Sequence, residues 1–248
     1  MEGSTYGNSR EYIYAACPQV QRPKDPWYQA SNGLNEYIDQ LEAATSGDPD
    51  TWPAILHFGT WNDYSETTHI CEGSQVGKLR QIIAKYYAIK FLLDEAPQIN
   101  EFSFIYAYKE MLTTSTEVGG GATQTTPFAE NAGNFALEDV IQMLAFLPEP
   151  ATLEIDLNGT TYTQESAAGM VLFTIDAEAT ATAPVFRITK NGRTLEQRSG
   201  HTIIVDEYDV QDFTVQGGDS RNLRPRLSTD TSLFPSSAWQ YGNYLARS

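Results

Sequence analysis

Near residue 98 the hydrophobic period of the chain changes, and this limits the fold more than any other feature of its 248 residues. Before that point apolar residues recur three and four apart; beyond it they come in short runs and alternate. Leu34, Tyr37, Ile38 and Leu41 have helical spacing, with Ser31 and Asn32 ahead as candidate caps and Gly47 and Pro49 behind as stops. Leu79, Ile82, Ile83, Tyr86, Ile89 and Leu93 mark a longer helix, ended before Pro97, that reads as a core stripe with polar rims. Each helix follows a short apolar run, residues 12–17 and residues 55–61, and such runs read as buried strands. Between the first run and the first helix, residues 19–30 with Pro23, Pro26 and Trp27 read as a polar loop.

Beyond residue 102 the runs at 104–108, 139–146, 152–157, 160–163, 170–175, 185–189, 194–197, 202–205 and 213–215 read as short strands. Asn158-Gly159 and Asn191-Gly192 are two-residue hairpin turns between such runs, and strands at this spacing form an antiparallel sandwich. A Gly/Thr-rich loop at 117–134 interrupts them. The last thirty or so residues, with Trp239, Tyr241 and Tyr244, read as a loop-rich tail packed on a surface. The expected organisation is an α/β segment over 1–98 followed by a β-sandwich over 99–248.

Charge and composition exclude several functions. With 32 Asp and Glu against 16 Lys and Arg the net charge is −16, which argues against nucleic acid and anionic membranes as partners. No run of about 18 apolar residues predicts a membrane span, and the first residues lack the basic head and apolar stretch of a signal peptide. Cys17 and Cys71 lack zinc-site spacing; they either pair or stay as buried thiols. His57, His69 and His201 form no metal-ligand pattern, and His57 reads as a core histidine. Gly119-Gly120-Gly121 lacks the Lys-Ser/Thr of a phosphate loop, so neither a metal nor a cofactor is expected.

The chemistry-bearing stretch is residues 59–70, which leaves the carboxyl end of the second strand run. In β/α folds functional side chains gather at that end. Asp63 and Glu66 are two carboxylates three residues apart, the pair that glycoside hydrolysis needs: one protonates the leaving oxygen, the other activates water or attacks the sugar. Trp61 and Tyr64 can offer flat apolar faces to a pyranose ring, and Asn62 can hydrogen-bond a hydroxyl. The alternative for Trp61 and Tyr64 is a core role covering the strand end, and for the carboxylates an ordinary solvated loop.

Residues 61–67, Trp-Asn-Asp-Tyr-Ser-Glu-Thr, resemble the Trp-Asn-Asp-Tyr-Gly-Glu-Ser signature of glycoside hydrolase family 71, the α-1,3-glucanases or mutanases. The strand ending at Cys17-Pro18, the Trp27 loop, the helix around residues 84–90, the aromatic run 104–109 and residues 138–148 resemble that family at the level of pattern. The resemblance implies the last strands of a β/α barrel followed by a C-terminal β-sandwich. It also implies hydrolysis of α-1,3-glucan with inversion, with Asp63 and Glu66 as the catalytic pair, Glu66 as general acid and Asp63 as base or its support. Trp61, Asn62, Tyr64 and Trp27 would then bind a polysaccharide or oligosaccharide outside the cell. Inversion requires carboxyl groups about 6.5–9.5 Å apart. Two departures stand out: Ser65 replaces a Gly, which matters if the backbone there needs positive φ, and Thr68 replaces a His, with His69 displaced by one.

A complete barrel takes about 250 residues by itself, and two strands cannot close one. The expectation is therefore an incomplete β/α barrel. It is either the C-terminal part of a longer or split polypeptide, completed by a partner chain or oligomer, or a reduced relative kept for glycan binding or assembly.

Overall fold

The computed structural model describes residues 12–22, 27–29, 33–117, 129–130, 138–208, 212, 214–220 and 244–246. In the first third, β1 (Ile13–Ala16) is followed by a hairpin of β2 (Val20–Arg22) and β3 (Trp27–Gln29), then by helix α1 (Asn35–Thr45), β4 (Ile55–Phe58) and helix α2 (Leu79–Leu93). β1 and β4 pair in parallel, Ile13 opposite Ile55, with α1 as the crossover between them. The remaining strands are β5 (Ser103–Lys109), β6 (Met111–Glu117), β7 (Ala129–Glu130), β8 (Val140–Leu147), β9 (Ala151–Leu157), β10 (Thr160–Ser166), β11 (Gly169–Asp176), β12 (Val185–Lys190), β13 (Arg193–Ser199), β14 (Val205–Tyr208), β15 (Val215–Asp219) and β16 (Tyr244–Ala246).

Two four-stranded antiparallel sheets, ordered β10-β9-β12-β13 and β11-β8-β5-β15, make up the sandwich. The Asn-Gly dipeptides do what their chemistry predicts. Asn158 and Gly159 have φ of 49° and 82°, Asn191 and Gly192 of 51° and 75°, the paired positive values that let a two-residue turn follow strand twist. β9 alternates buried and half-buried residues, as a sheet with one wet face must. By contrast, every residue of β8 is buried, and so is all of β5 after Ser103. Their two faces serve two cores. Phe104, Tyr106, Tyr108, Met143 and Ala145 pack toward the second sheet, where the Tyr106 and Phe186 rings stack at 4.6 Å. Ile105, Ala107, Leu144 and Phe146 pack toward the helices.

Helix α2 is the other half of that second contact. It touches α1 and β4 as well as β5 and β15, and ten of its residues, from Leu79 to Phe91, are buried. A single stripe with polar rims does not describe it: the helix is apolar nearly all round because it has sheet on both sides. Its first residue, Leu79, lies against β15 so closely that a Cβ on Gly217 would fall 1.9 Å from Leu79 Cδ2. α1 begins without the expected cap. Ser31 and Asn32 lie outside the described residues, and Leu34 occupies the cap position. Its N–H instead donates at 2.6 Å to Oε1 of Gln142, wholly buried on β8.

Four further expectations need correction. β1 is a partly solvated strand, with Ile13 59% exposed, because it has a single strand neighbour among the described residues. The loop expected at 19–30 contains the β2–β3 hairpin. Residues 202–204 are not a strand, and β14 starts at Val205 to pair in parallel with β6. The tail contributes β16, antiparallel to β4 with Tyr244 opposite His57; Trp239 and Tyr241 lie outside the described residues, as do residues 118–128 with the triple glycine.

The close approach of α2 to β15 can be tested directly. Gly217→Ala should lower stability by about 1–3 kcal/mol in urea or thermal unfolding. Adding Leu79→Ala should cost less than the sum of the two single changes, since it removes one of the clashing groups.

Candidate functional site

β4 ends at Phe58, and residues 59–78 cross from its carboxyl end to the start of α2. The base of this loop is a short backbone clasp. Thr60 N donates to Thr68 O at 3.2 Å, Ile70 N to Thr60 O at 2.9 Å and Cys71 N to Trp61 O at 2.9 Å. The Thr60 and Thr68 hydroxyls add a bond of 2.7 Å between the two limbs. The Thr68 departure thus has a structural role, closing the clasp. A second small clasp, Gly73 with Gly77, ends the loop, and Gly217 N donates to Gln75 O at 2.7 Å, docking it on β15.

Above the first clasp sits a turn that carries Asn62 to Thr67. Asp63 caps it as a helix N-cap would: its Oδ1 accepts from Glu66 N at 3.1 Å and from the Ser65 hydroxyl at 2.7 Å. Ser65 is not in the left-handed region, so its replacement of a Gly carries no backbone strain. Positive φ falls instead on Thr67, at 55°. The turn brings Trp61, Asn62, Asp63, Tyr64 and Glu66 together on one solvent-facing tip. Trp61 is 36% and Tyr64 55% exposed, which removes the core reading for both, while Asp63 and Glu66 are half-buried. The backbone of Trp27 belongs to β3, but its side chain lies outside the described residues.

Beneath the tip the loop is held by buried groups. Tyr64 lies over the His69 ring, with centroids 4.5 Å apart, and its hydroxyl meets Cys71 Sγ at 3.0 Å and donates to Glu72 O at 3.1 Å. His69 is 5% exposed and its Nδ1 has no hydrogen-bond partner. Burial, then the nearby Arg80 charge, lowers its pKa from 6.5 to about 4, with Asp63 opposing the shift. His69 is therefore neutral near pH 7 and faces inward. Cys17 and Cys71 are free thiols, each half-buried, and burial pushes Cys17 up from its ordinary value.

A comparison with known proteins bears on this loop. The chain is 25% identical over 233 residues to the glucan endo-1,3-alpha-glucosidase agn1 of Schizosaccharomyces pombe, a match covering 85% of this chain and 51% of that protein. The chain thus spans about half the length of the curated relative it matches. No protein-family profile and no solved structure matches it. The distant likeness supports a relationship to glycoside hydrolases of the mutanase kind.

Sequence reasoning overlooked the group under the turn. Arg80, 2% exposed, sends its guanidinium to Thr67 O at 2.6 Å, His69 O at 2.8 Å and Gln19 Oε1 at 3.1 Å. Burial lowers its pKa to about 10, which leaves it charged at neutral pH. Its signal was present. Arg80 shares the helical face of Ile83, Ala84, Tyr87 and Phe91, a cation inside an apolar stripe that needs buried acceptors. Gln40 of α1 holds the loop after β1 in a similar way, bonding both Cys17 N and Cys17 O. Among the described residues no His, Cys, Asp and Glu group is arranged to hold a metal ion, and no helix is long and apolar enough to cross a membrane.

The buried neutral His69 predicts a pH dependence of stability. The unfolded chain binds its proton near pH 6.5 and the folded chain only near 4, so the unfolded state carries more protons between those values. The stabilisation from His69 is complete above about pH 6.5 and is lost as pH falls toward 4. Denaturant unfolding of His69→Phe from pH 7.5 to 4 should show a shallower loss than the unsubstituted chain; parallel curves would refute the assignment.

Proposed function

We propose that this chain is the C-terminal part of an α-1,3-glucan hydrolase. In this reading residues 1–98 are the end of an incomplete β/α barrel, and residues 99–248 are the associated β-sandwich. Asp63 and Glu66 act with inversion, Glu66 as general acid and Asp63 as the base or its support. The observation that carries the reading is the turn at the carboxyl end of β4. It gathers two carboxylates, a carboxamide and two exposed aromatic rings, and the sequence that forms it aligns with a glucan endo-1,3-alpha-glucosidase. Trp61 and Tyr64 offer faces to sugar rings, Asn62 bonds a hydroxyl, and Trp27 is a further substrate-binding candidate. The partner is an extracellular polysaccharide or oligosaccharide, and a further chain or oligomer supplies the rest of the barrel.

One observation favours a second reading, a non-catalytic glycan-binding or assembly protein derived from the same scaffold. β16 runs antiparallel along β4, on the edge that an all-parallel barrel gives to its next strand.

Reducing-sugar release from α-1,3-glucan separates the two. With the rest of the barrel supplied, the first reading expects turnover that falls by at least about a hundredfold in Glu66→Gln and less steeply in Asp63→Asn. Glycan retention without turnover would favour the second. Turnover that survives Glu66→Gln would remove Glu66 from the acid role.

A further inference from the structure

The residue after Glu66 is the most constrained point of the turn. Thr67 has a φ of 55°, a left-handed conformation that its branched Cβ disfavours. Such a residue persists only where its surroundings over-determine it. Here the surrounding group is Arg80, whose Nη1 donates to Thr67 O and, across the return limb, to His69 O. Nη2 is fixed by Gln19 Oε1, which also accepts from Val215 N at 3.5 Å. Gln19 follows β1 and Val215 opens β15. One buried cation therefore ties the loops after both parallel strands to each other and to the sandwich. Charge-assisted hydrogen bonds in so dry a setting are about twice as strong as neutral ones, and they act on the two carbonyls that flank Thr68.

We propose that Arg80 is a positioning residue for the Asp63–Glu66 turn: by holding the Thr67 carbonyl it keeps Thr67 left-handed and so fixes the direction in which Glu66 projects. Its catalytic consequence rests on the hydrolase reading above; the geometry of the turn does not. Glycine reaches positive φ without cost. If Arg80 acts through Thr67, a glycine at 67 therefore lessens the need for it, whereas a general contribution of Arg80 to packing is indifferent to that change.

The test uses the full chain carrying Arg80→Lys, Thr67→Gly or both, read by amide hydrogen exchange and by initial rates on α-1,3-glucan. Arg80→Lys should speed exchange at the Thr67, Ile70 and Cys71 amides by about ten- to hundredfold, with the β5 and β8 amides unchanged. It should lower kcat by a similar factor while KM moves less than about threefold. Thr67→Gly in the same chain should recover much of both losses. Unchanged loop exchange in Arg80→Lys, equal acceleration throughout the core, or no recovery from Thr67→Gly would each overturn the proposal. An unsubstituted chain that releases no sugar even with the part that completes the barrel, while the exchange pattern and its recovery appear as expected, would sink the hydrolase reading and support the positioning of the turn.

Discussion

Because α2 has apolar partners on two sides, it has almost no face left for water, and the rest of the architecture follows from that burial. Toward β4 and α1 it offers Tyr87 and Phe91; toward the sandwich it offers Leu79 and Tyr86, whose ring lies 5.9 Å from Phe146 on β8. Each such side chain contributes roughly 1.5–3 kcal/mol when removed from water. The helix therefore fixes the parallel pair β1–β4 against a sheet that already has the second sheet on its other face. β5 and β8 must then be apolar on both faces, which explains why these antiparallel strands read as unbroken hydrophobic runs.

This burial also determines where a functional loop can be precise. The turn at Asp63–Glu66 is suspended between the end of β4 and the start of α2, two elements that cannot shift independently. A connection of that length would ordinarily be a source of mobility. Here the Thr60–Thr68 clasp, the docking of Gln75 on Gly217 and the Arg80 fork remove most of its freedom. The charge arrangement is self-consistent. A protonated His69 would place a second cation beside Arg80 in a dry pocket, and that repulsion together with burial keeps the imidazole neutral. The net charge of −16 is compatible with an uncharged ligand.

What could be read from the sequence was what local chemistry decides. The bounds of α2 followed from its period and from Pro97, and the β9–β10 and β12–β13 hairpins from Asn-Gly pairs that only a tight turn uses well. Parallel pairing of the first two strands was implied only by the resemblance to a β/α barrel. Only the first residue of β15 fell within the expected run 213–215, because Gln216, Gly217 and Gly218 carry no strand signal; the two glycines leave room for Leu79 and Tyr106 to pack against that strand. The β2–β3 hairpin was hidden by its prolines. In the site, the residues of the turn were legible as a contiguous motif. The cation beneath them was only half legible: Arg80 stands out as a charge within an apolar helical stripe, but two of its acceptors are main-chain carbonyls of Thr67 and His69, whose positions no side-chain pattern announces.

The strand environment of β4 bears on how such a turn can work. On one side β4 has the parallel β1, whose following loop contributes Gln19 to the Arg80 network; on the other it has the antiparallel β16. Functional clefts of parallel sheets form at the carboxyl ends because successive strands all deliver their loops to the same end. An antiparallel neighbour delivers its amino end there instead, and the register sets Tyr244, the first residue of β16, opposite His57 next to the end of β4. Among the described residues, the loop tied to the Asp63–Glu66 turn by buried contacts is therefore the one after β1, through Gln19 and Arg80. The floor of the turn is set by Arg80, which couples it to the first parallel strand and, through Gln19 and Val215, to the sandwich.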